Sequence, residues 1–385
     1  MRIAFFCGVF FPLPGGAQIQ THNLANKLVK KGYKVDVIIL NETNIKNNLY
    51  NIIVINKIFI SIFFYIKHFL FIDLTFIFKI YLDKLFKNKD YDIFHFQFLN
   101  PKMFFLLELV KHYKKKIVAT FHGADIQIDK EINYGYRLNK KYDNILKKNL
   151  KNIDFFFAIS KNIENDLLDL GINKNKISII PNSVAIQKFL ESRNKVDLNM
   201  DQIKLLTIAR FAEKKKGLDL IPKIAEILIL KKISFKWIIV GKNSKNLIYN
   251  QFIKKNLRYF DFIENVQNLN EEFYPSTKLI EIFKKSDLYI NTARIESFGV
   301  TIIESLSAEV PVITFNTKGG NELIKDNFNG KIIPNNSVEE MVRQIIDYQN
   351  DYQMYLKHKR NTLSSVKNFD LDLISKRTID IYKNL

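Results

Sequence analysis

The chain has 385 residues, which is long enough for two domains of about 150 residues each. Hydrophobic residues make up 47% of it and aromatic residues 13%, a composition that excludes an intrinsically disordered protein. The formal net charge of +20 predicts either an anionic partner, such as nucleic acid, anionic lipid or a phosphorylated substrate, or a general enrichment in lysine without such a partner.

The amino terminus carries IAFFCGVFF, an apolar run that contains Cys7, the one cysteine of the chain. A single cysteine excludes an internal disulfide, and its apolar neighbours predict a buried, unreactive thiol. The run continues into PLPGGAQ without a small-residue cleavage site, so it does not resemble a signal peptide. We therefore expect a cytoplasmic protein.

Apolar runs alternate with helical patterns through the first half of the chain. RIAFFCGVF predicts a buried strand, and AQIQTHNLANKLVKKG predicts the helix after it, which ends at Gly32. Five further runs predict strands: YKVDVIIL, DIFHFQF, KIVATFHG, DFFFAIS and KISIIPNS. Strands that alternate with helices in this way form a parallel sheet.

Ile58–Phe86 is the most apolar segment of the chain. Six charged or titratable residues interrupt it, and no uncharged run reaches the roughly 18 residues that a transmembrane helix needs. Two interpretations stay open: a helix buried inside the protein, and an aromatic, lysine-edged helix that lies at the surface of a membrane.

The strand–helix pattern restarts after a polar stretch, Glu191–Gln202. IKLLTIAR, FKWIIVGK, SDLYINTA and VPVITF predict strands, and KGLDLIPKIAEILILKK predicts a helix. The predicted fold is therefore α/β, with two Rossmann-like domains whose parallel sheets face each other across a cleft. We place the N-terminal domain at 1–187 and the C-terminal domain at 200–365; a last helix, at about 368–385, follows the second domain.

In open parallel sheets, ligands bind where the carboxyl ends of the strands meet. Two loops at such ends contain candidate residues, one with Gly15 and Gly16 and the other with His122. Gly15 and Gly16 stand between the first strand and its helix, where backbone N–H groups suit a phosphate or a sugar hydroxyl; the alternative is a simple tight turn. His122 ends a strand in ATFHGADIQ and is either a hydrogen-bonding group of the site or a structural histidine. The six histidines do not have metal-ligand spacing, so we predict no metal site.

A basic loop follows the first strand of the second half. LLTIARFAEKKKGLDL places Arg210 just past the strand and Lys214, Lys215 and Lys216 before Gly217 and a helix. A guanidinium and an ammonium group can together neutralise a diphosphate. The alternative is a basic loop that faces water.

The stretch ARIESFGVTIIESL places two glutamates around a chain reversal. Glu296 lies in the loop after a strand, Phe298-Gly299 turns the chain, and the following residues predict a helix whose free N–H groups, near Gly299–Thr301, can hold a leaving diphosphate. Glu304, about one and a half turns into that helix, can reach the hydroxyls of a ribose. Glu296 is then left for the transferred sugar; the alternative is two surface carboxylates that the helix dipole favours.

This series of motifs resembles the retaining glycosyltransferases of family 4, which have the GT-B fold. The resemblance rests on the E-x7-E pattern ESFGVTIIE between the arginine–lysine motif and GGNELIKDNFNGKII, and on PLPGGAQ, FHGAD and AISKNIENDLLDLGINKNKISIIPNSV in the same order. It covers nearly the whole chain. One extra residue between Arg210 and Gly217 leaves open whether Lys215 or Lys216 takes the family's phosphate-binding position.

The resemblance implies a role for each residue. Arg210 and Lys216 bind the diphosphate of the donor, Glu296 meets its sugar and Glu304 its ribose, while His122 lines the sugar pocket. Gly16 lets the backbone approach donor and acceptor. The resemblance also implies that the C-terminal domain holds the nucleotide sugar, that the N-terminal domain mainly holds the acceptor, and that the last helix crosses back to the N-terminal domain. The implied catalytic set is Glu296, His122, Arg210 and Lys216. The implied donor-binding set is Gly16, Arg210, Lys215, Lys216, Glu296, Ser297, Phe298, Gly299, Val300, Thr301 and Glu304.

The function implied by the resemblance is transfer of a hexose or N-acetylhexosamine from a nucleotide diphosphate sugar, with retention of configuration and without a cofactor or an obligatory metal. The expected acceptor is a glycan or lipid-linked glycan of bacterial surface polysaccharide, such as lipopolysaccharide or capsule. We expect a cytoplasmic location, with association at the inner face of the cytoplasmic membrane. The alternatives are a nucleotide-sugar epimerase of GT-B fold and a non-catalytic protein that binds anionic surfaces. No arginine cluster or binding module predicts a nucleic-acid partner.

Overall fold

The computed structural model describes residues 1–11, 15–192, 201–210, 214–266 and 269–385. The chain divides into two compact units. Unit 1 consists of Met1–Pro181, Leu269–Tyr274 and Leu371–Leu385, and unit 2 consists of Asn182–Asn268 and Pro275–Asp370. Parts of three predicted motifs lie outside the described residues: 12–14 of PLPGGAQ, 193–200 of the polar stretch and 211–213 of the basic loop.

The sheet of unit 1 contains seven described strands, and every pairing between them is parallel. The strands are β1 (Arg2–Cys7), β2 (Lys34–Ile39), β3 (Asn51–Val54), β4 (Ile93–Gln97), β5 (Lys116–Phe121), β6 (Phe155–Ala158) and β7 (Ile177–Ile179). Their order in the sheet is β3-β2-β1-β4-β5-β6-β7. Helices cover a parallel sheet on both faces, which explains why β1 and β4 are apolar along most of their length. Cys7 is buried as predicted, and burial raises the pKa of its thiol to about 12.

Six described α-helices connect these strands: α1 (Gly16–Lys30), α2 (Lys57–Phe69), α3 (Thr75–Leu85), α4 (Pro101–Val110), α5 (Lys140–Leu150) and α6 (Lys161–Asp169). Side chains cap several helix starts, as in α4, where Asn100 accepts hydrogen bonds from the N–H groups of Lys102 and Met103. Ile58–Phe86, predicted as a single helix, forms the two helices α2 and α3 with a short connection between them.

The sheet of unit 2 contains six described strands, which are also parallel. They are β8 (Ile203–Ile208), β9 (Phe235–Val240), β10 (Phe260–Ile263), β11 (Leu288–Asn291), β12 (Val312–Phe315) and β13 (Gly330–Ile333), in the order β10-β9-β8-β11-β12-β13. The α-helices of unit 2 are α7 (Ile186–Glu191), α8 (Ile221–Leu230), α9 (Gln251–Lys255), α10 (Thr277–Lys284), α11 (Val300–Ser307), α12 (Lys318–Leu323), α13 (Val338–Asn350) and α14 (Tyr352–Val366). Its core packs around Trp237, which is fully buried and whose indole N–H donates to Thr207 Oγ1 at 3.0 Å.

Two later segments complete unit 1. The helix α15 (Leu371–Asn384) packs against α1, and Tyr382 from α15 stacks on Phe157 of β6 with 6.0 Å between the ring centroids. Residues 269–274 are held by buried polar side chains of α1. Asn23 exchanges two hydrogen bonds of 2.8 Å with the backbone of Tyr274, and His22 Nε2 lies 3.0 Å from the carbonyl oxygen of Glu272. No pattern in the sequence had indicated that residues 269–274 belong to unit 1, although the chain before and after them belongs to unit 2.

Within the described ranges, no helix is both long enough and apolar enough to cross a membrane.

Candidate active site

The first group of candidate residues lies at the carboxyl edge of the sheet in unit 2. β8 and β11 are neighbours in this sheet, so the loops that follow them start side by side. The loop after β8 leads through Arg210 to Lys216, and the loop after β11 leads through Glu296 to α11. This placement brings the two predicted donor-binding loops together.

An ion pair joins these loops. Lys216 Nζ lies 3.0 Å from Glu296 Oε2, and both side chains are mostly buried, with 21% and 12% of their side-chain surfaces exposed. The backbone carbonyl of Lys216 also accepts a hydrogen bond of 2.8 Å from the hydroxyl of Thr292. The position of Lys216 is therefore fixed by this hydrogen bond to its backbone as well as by the ion pair of its side chain.

Arg294 was not among the predicted site residues, and its hydrogen bonds join the same two loops. Its guanidinium makes two hydrogen bonds of 2.7 Å to the carboxylate of Asp219 and one of 2.8 Å to the carbonyl of Lys214, while its backbone N–H donates to the carbonyl of Lys215 at 2.7 Å. Hydrogen bonding to Arg294 lowers the pKa of Asp219, so the pair stays ionised at neutral pH. The sequence shows Arg294 two residues before Glu296, but it does not indicate that Asp219, 75 residues away, is the partner of Arg294.

Two glycines allow the backbones to approach closely. Gly217 has a φ of +63°, and a Cβ atom there would stand 2.0 Å from the carbonyl oxygen of Thr292. Gly319 donates its N–H to the carbonyl of Glu296 at 2.9 Å, and a Cβ atom on it would stand 2.4 Å from that oxygen. Glycine is therefore required at both positions, one next to Lys216 in the chain and the other against the backbone of Glu296.

The helix α11 begins at the predicted place. Gly299 is its N-cap, with a left-handed backbone, and no side chain caps the first turn. The N–H groups of Val300 and Thr301 thus stand at the positive end of the helix dipole, where an anion is favoured. The hydroxyl of Thr301 accepts a hydrogen bond of 2.7 Å from Tyr289. Phe298 is buried and packs edge-on against Phe369, which fixes the turn.

Glu304 is the most unusual charged residue of this group. Its side chain is buried, and no hydrogen bond or ion pair reaches its carboxylate from the described residues. Because burial penalises the charged form, its pKa is raised to about 8. Such a carboxyl group is ready to accept hydrogen bonds from the hydroxyl groups of a ligand.

The remaining residues predicted for the donor also lie in unit 2. Arg210 is exposed and follows β8 by two residues. Lys215 is half-buried, and its carbonyl is the acceptor for Arg294. Ser297 is buried between Glu296 and Phe298 in the chain. Of the two lysines left open by the sequence, Lys216 is the one whose ammonium group lies against Glu296.

Gly16 and His122 lie in unit 1. Gly16 is the first residue of α1, exposed, and follows the extended Gly15, which has no side-chain cap. α1 follows β1, so its free N–H groups lie at the carboxyl edge of that sheet. Because residues 12–14 lie outside the described residues, the role predicted for this turn in ligand binding stays a prediction.

His122 belongs to a hydrogen-bonded chain that the sequence did not reveal. Its Nε2 lies 2.9 Å from Gln97 Oε1, and Gln97 Nε2 lies 3.2 Å from Nε2 of the buried His95. His95 Nε2 also accepts from the hydroxyl of Thr120 at 2.7 Å, and its Nδ1 is hydrogen-bonded to the hydroxyl of Tyr382. The chain thus runs from the end of β5 through β4 to α15.

These contacts assign the proton positions. Gln97 presents its carbonyl oxygen to His122, so His122 Nε2 carries the hydrogen and donates. Nδ1 of His122 is left as a hydrogen-bond acceptor, and no described residue donates to it. Desolvation lowers the pKa of His122 to about 3, which keeps the ring neutral at physiological pH.

Asp125 shapes the loop that carries His122. It is fully buried and accepts hydrogen bonds from the backbone N–H groups of His122 (3.0 Å), Gly123 (2.8 Å) and Leu99 (3.2 Å). Burial raises the pKa of Asp125 to about 7 despite these donors. The HGAD motif is therefore a turn closed by its own aspartate.

In the part of the chain that the structure describes, no three histidine, cysteine, aspartate or glutamate side chains are close enough together to hold a metal ion.

Two family models match the chain in succession. The first, described as Glycosyltransferase Family 4, matches residues 14–188, and the second, described as Glycosyl transferases group 1, matches residues 188–364. Together they span most of unit 1 and most of unit 2.

Three of the relatives that match the sequence come from bacteria. An uncharacterised 41.2 kDa protein of the cps region of Klebsiella pneumoniae is 28% identical over 48% of this chain and 50% of its own length. A poly(ribitol-phosphate) alpha-N-acetylglucosaminyltransferase of Staphylococcus aureus is 30% identical over 35% of this chain and 26% of its own. A UDP-Gal:alpha-D-GlcNAc-diphosphoundecaprenol alpha-1,3-galactosyltransferase of Escherichia coli is 24% identical over 56% of each chain. The matched region therefore spans about half the length of these relatives or less.

Solved structures share the fold over the whole chain. A glycosyltransferase from Rickettsia africae has a TM-score of 0.72 at 20% identity and covers 100% of this chain and 98% of its own. Anabaena HepE, solved with UDP and glucose, has a TM-score of 0.74 at 16% identity and covers 100% of both chains. These likenesses establish the predicted α/β fold of GT-B type, with two Rossmann-like domains of parallel strands.

Proposed function

Because this chain belongs to glycosyltransferase family 4, we propose that it is a retaining enzyme that moves a sugar from a nucleotide diphosphate sugar to a glycan or lipid-linked glycan during bacterial surface polysaccharide synthesis. The observation that carries the proposal is the cluster in unit 2. There the Lys216–Glu296 pair joins two adjoining loops at one sheet edge, and the second loop leads into α11, whose start is uncapped and which contains the buried Glu304.

Each group in the cluster matches one part of a nucleotide sugar. Arg210, Lys216 and the N–H groups that open α11 supply positive charge for the diphosphate. Glu304 accepts hydrogen bonds from the ribose hydroxyls, which supply the donors that the protein lacks. Glu296 meets the hydroxyls of the transferred sugar, and the ion pair with Lys216 places it beside the diphosphate.

The proposed reaction breaks the bond between the anomeric carbon and the diphosphate oxygen and forms a bond from the same face to the acceptor oxygen. The electron pair of the broken bond stays on the departing diphosphate, and a phosphate oxygen of that group takes the proton of the acceptor hydroxyl. The main task of the protein is to stabilise the negative charge that develops on the diphosphate. We assign no carboxylate nucleophile.

We also propose that this stabilisation needs no divalent ion, since Arg210 and Lys216 supply the charge. Transfer that continues in excess EDTA would agree with this, and activity restored only by Mg²⁺ or Mn²⁺ would contradict it.

The names of the relatives support one class of acceptor. Two of them are named for acceptors of the bacterial envelope, poly(ribitol phosphate) and a sugar on diphosphoundecaprenol, and a third is encoded in a capsule region. We propose an acceptor of this class, reached at the inner face of the cytoplasmic membrane.

A transfer assay with a nucleotide sugar and a lipid-linked acceptor tests the proposal. Glu296→Ala and Arg210→Ala should each abolish most of the transfer, while Arg360→Ala, an exposed arginine of α14, should leave it unchanged. Full activity of either of the first two variants would refute the assignment. Conversion of the nucleotide sugar without any acceptor would instead indicate an epimerase.

A further inference from the structure

The helices α2 and α3 and their connection expose an unusual amount of apolar surface. Of 22 large apolar side chains that are exposed among the described residues, ten fall in this short segment. They form what we call the apolar patch: Ile58, Ile62, Tyr65, Phe69, Leu70, Phe71, Ile72, Phe76, Ile77 and Ile80. Scattered apolar side chains are normal on protein surfaces, whereas their concentration in one short segment indicates an interaction site.

The patch is a second apolar face, distinct from the one used for folding. On α2, the exposed residues Ile58, Ile62, Tyr65 and Phe69 recur at intervals of four, three and four residues, so they line one side of the helix. The opposite side holds Ile60 and Phe63, which are buried. A helix that only covers a protein core has a polar outer face, and this helix does not.

Aromatic contacts show how the buried side is anchored. Phe78 of α3 stacks on Phe59 at 5.2 Å and packs edge-on against Phe63 at 5.4 Å and against Phe105 of α4 at 5.6 Å. The two helices are therefore fixed to unit 1 by these rings. The patch residues are not needed for that packing.

The connection between the helices carries the most exposed of these side chains. Phe71 is 87% exposed and has a φ of +59°, a backbone conformation that glycine and asparagine adopt at a lower cost. An aromatic ring that is exposed to this extent is unfavourable in water. Its presence there is explained if the ring is buried in an apolar medium outside the protein.

Lysines border the patch. Lys57 begins α2, and Lys102 of α4 reaches the same end of the helix, where its ammonium group donates to Ser61 Oγ at 2.6 Å. Burial and the nearby charge of Lys57 lower the pKa of Lys102. Neither lysine has a carboxylate partner among the described residues. Lys141 lies over the ring of Phe69, with 4.4 Å from Nζ to the ring centroid.

We propose that the apolar patch inserts into the interface of a lipid bilayer that contains anionic phospholipids, with Phe71 among the acyl chains and Lys57, Lys102 and Lys141 at the phosphate groups. α2 and α3 have 13 and 11 residues, or about 20 and 16 Å at 1.5 Å per residue, so they lie along the surface rather than across it. An open groove of about 510 Å³ along α2, between Lys57 and Tyr65, is apolar except at its lysine end and suits a lipid chain with its phosphate.

The lysines favour a bilayer over a second copy of the chain, since three of them border the patch and one exposed carboxylate, that of Asp73 in the connection, lies within it. A second copy docked on the same patch would bring the unpaired Lys57 and Lys102 of each chain towards one another. Anionic headgroups neutralise the same lysines, and each lysine near such a surface contributes to binding. This proposal rests on the proposed function in one respect, namely that the bilayer would carry the acceptor. Binding to vesicles does not itself require sugar transfer.

The test uses the full chain and vesicles of phosphatidylcholine with and without about 30% phosphatidylglycerol, in a flotation assay. The patch variant is Phe71→Asn with Phe76→Gln and Ile80→Gln. Asparagine suits the backbone at 71 and glutamine suits a helix, so the variant should keep its fold. The matched control is Leu230→Gln with Tyr249→Gln, which removes two apolar side chains that are 74% and 86% exposed in unit 2.

We expect the wild type and the control to bind the anionic vesicles about tenfold more tightly than the patch variant, and about 0.5 M NaCl to weaken the binding. Equal binding of wild type and patch variant, or no binding of the wild type, would overturn the proposal. So would a dimer that the patch variant converts to a monomer, because the patch would then be a contact between copies. Thermal shift with UDP-glucose, chosen because Anabaena HepE was solved with UDP and glucose, separates this from the proposed function. The shift should be equal in all three proteins, and its absence in all of them would count against the donor site alone.

Discussion

Lys216 and Glu296 form an ion pair of 3.0 Å across two loops that are 80 residues apart in the chain. A diphosphate bound at Lys216 must compete with this carboxylate for the ammonium group. We therefore predict that Glu296→Gln binds UDP at least as tightly as the wild type, although sugar transfer falls about 100-fold. Lys216→Ala should weaken UDP binding about tenfold, and Lys254→Ala, on the exposed side of α9, should not. Calorimetry and a transfer assay measure the two quantities; loss of UDP affinity in Glu296→Gln would argue against competition.

Glu304 predicts a proton linked to donor binding. Its pKa is about 8 in the free protein, and ribose hydroxyls that donate to it favour the charged form, so the pKa falls when the donor binds. A proton is then released near pH 7, and affinity for UDP-glucose rises with pH, by up to about tenfold per unit between pH 6 and pH 8. Calorimetry in buffers of different ionisation enthalpy counts the released proton.

Glu304→Gln is the matched control, because glutamine keeps the shape of the side chain and does not titrate. Its affinity should not depend on pH in this range. A wild type with pH-independent affinity would show that Glu304 does not accept these hydrogen bonds.

The variants Gly217→Ala and Gly32→Ala distinguish the effect of a close contact with a neighbouring backbone from the effect of backbone strain. Gly217 and Gly32 have φ values of +63° and +86°, but a Cβ atom at Gly32 meets nothing within 4 Å, whereas at Gly217 it meets the carbonyl of Thr292 at 2.0 Å. Gly32→Ala should therefore cost about 1 kcal/mol of strain. Gly217→Ala should cost more and should also weaken UDP binding, because Lys216 moves with its neighbour. Thermal melts and UDP titrations of the two variants give the comparison; equal effects would show that the contact with Thr292 is unimportant.

Gln97→Glu should introduce a pH dependence that the wild type lacks. A carboxylate at this position accepts from His122 Nε2 and favours the charged ring, so the pKa of His122 rises from about 3 towards neutrality. The protonated ring loses Nδ1 as an acceptor, and transfer should fall as the pH drops below about 7. The wild type should show no such loss from His122 above pH 4. A pH–rate profile of Gln97→Glu, with Gln97→Glu/His122→Asn as the control, tests this; an acid limb that survives in the double variant has another source.

The sequence predicted the central strands well and the edge strands poorly. β1, β4 and β8 are buried on both faces and appear as continuous apolar runs. Of the four described edge strands, β3, β10 and β13 were missed and have only four residues each, whereas β7 was predicted from KISIIPNS. An edge strand is partly exposed, so its residues mix polar and apolar types and produce no clear run.

The candidate site was predictable where its signal is local and not where it depends on distant pairs. The glycine before α11 and the basic loop before α8 are local patterns, and the structure has both at strand ends. The contacts of Arg294 with Asp219 and of Gln97 with His122 join residues that are far apart in the chain. Sequence patterns record what a residue needs from its immediate neighbours, and these partners become neighbours only in the folded protein.

Unit 1 is assembled from three separate pieces of the chain, and the last of them is α15. Since α15 supplies Tyr382 to the buried His95, the interior of unit 1 is complete only with residues that are synthesised after all of unit 2. Unit 2 needs no residue beyond Asp370 and is free to form earlier. A nonsense mutation at codon 371 should therefore disturb unit 1, which contains the amino-terminal strands, although it leaves every residue of unit 2 in place.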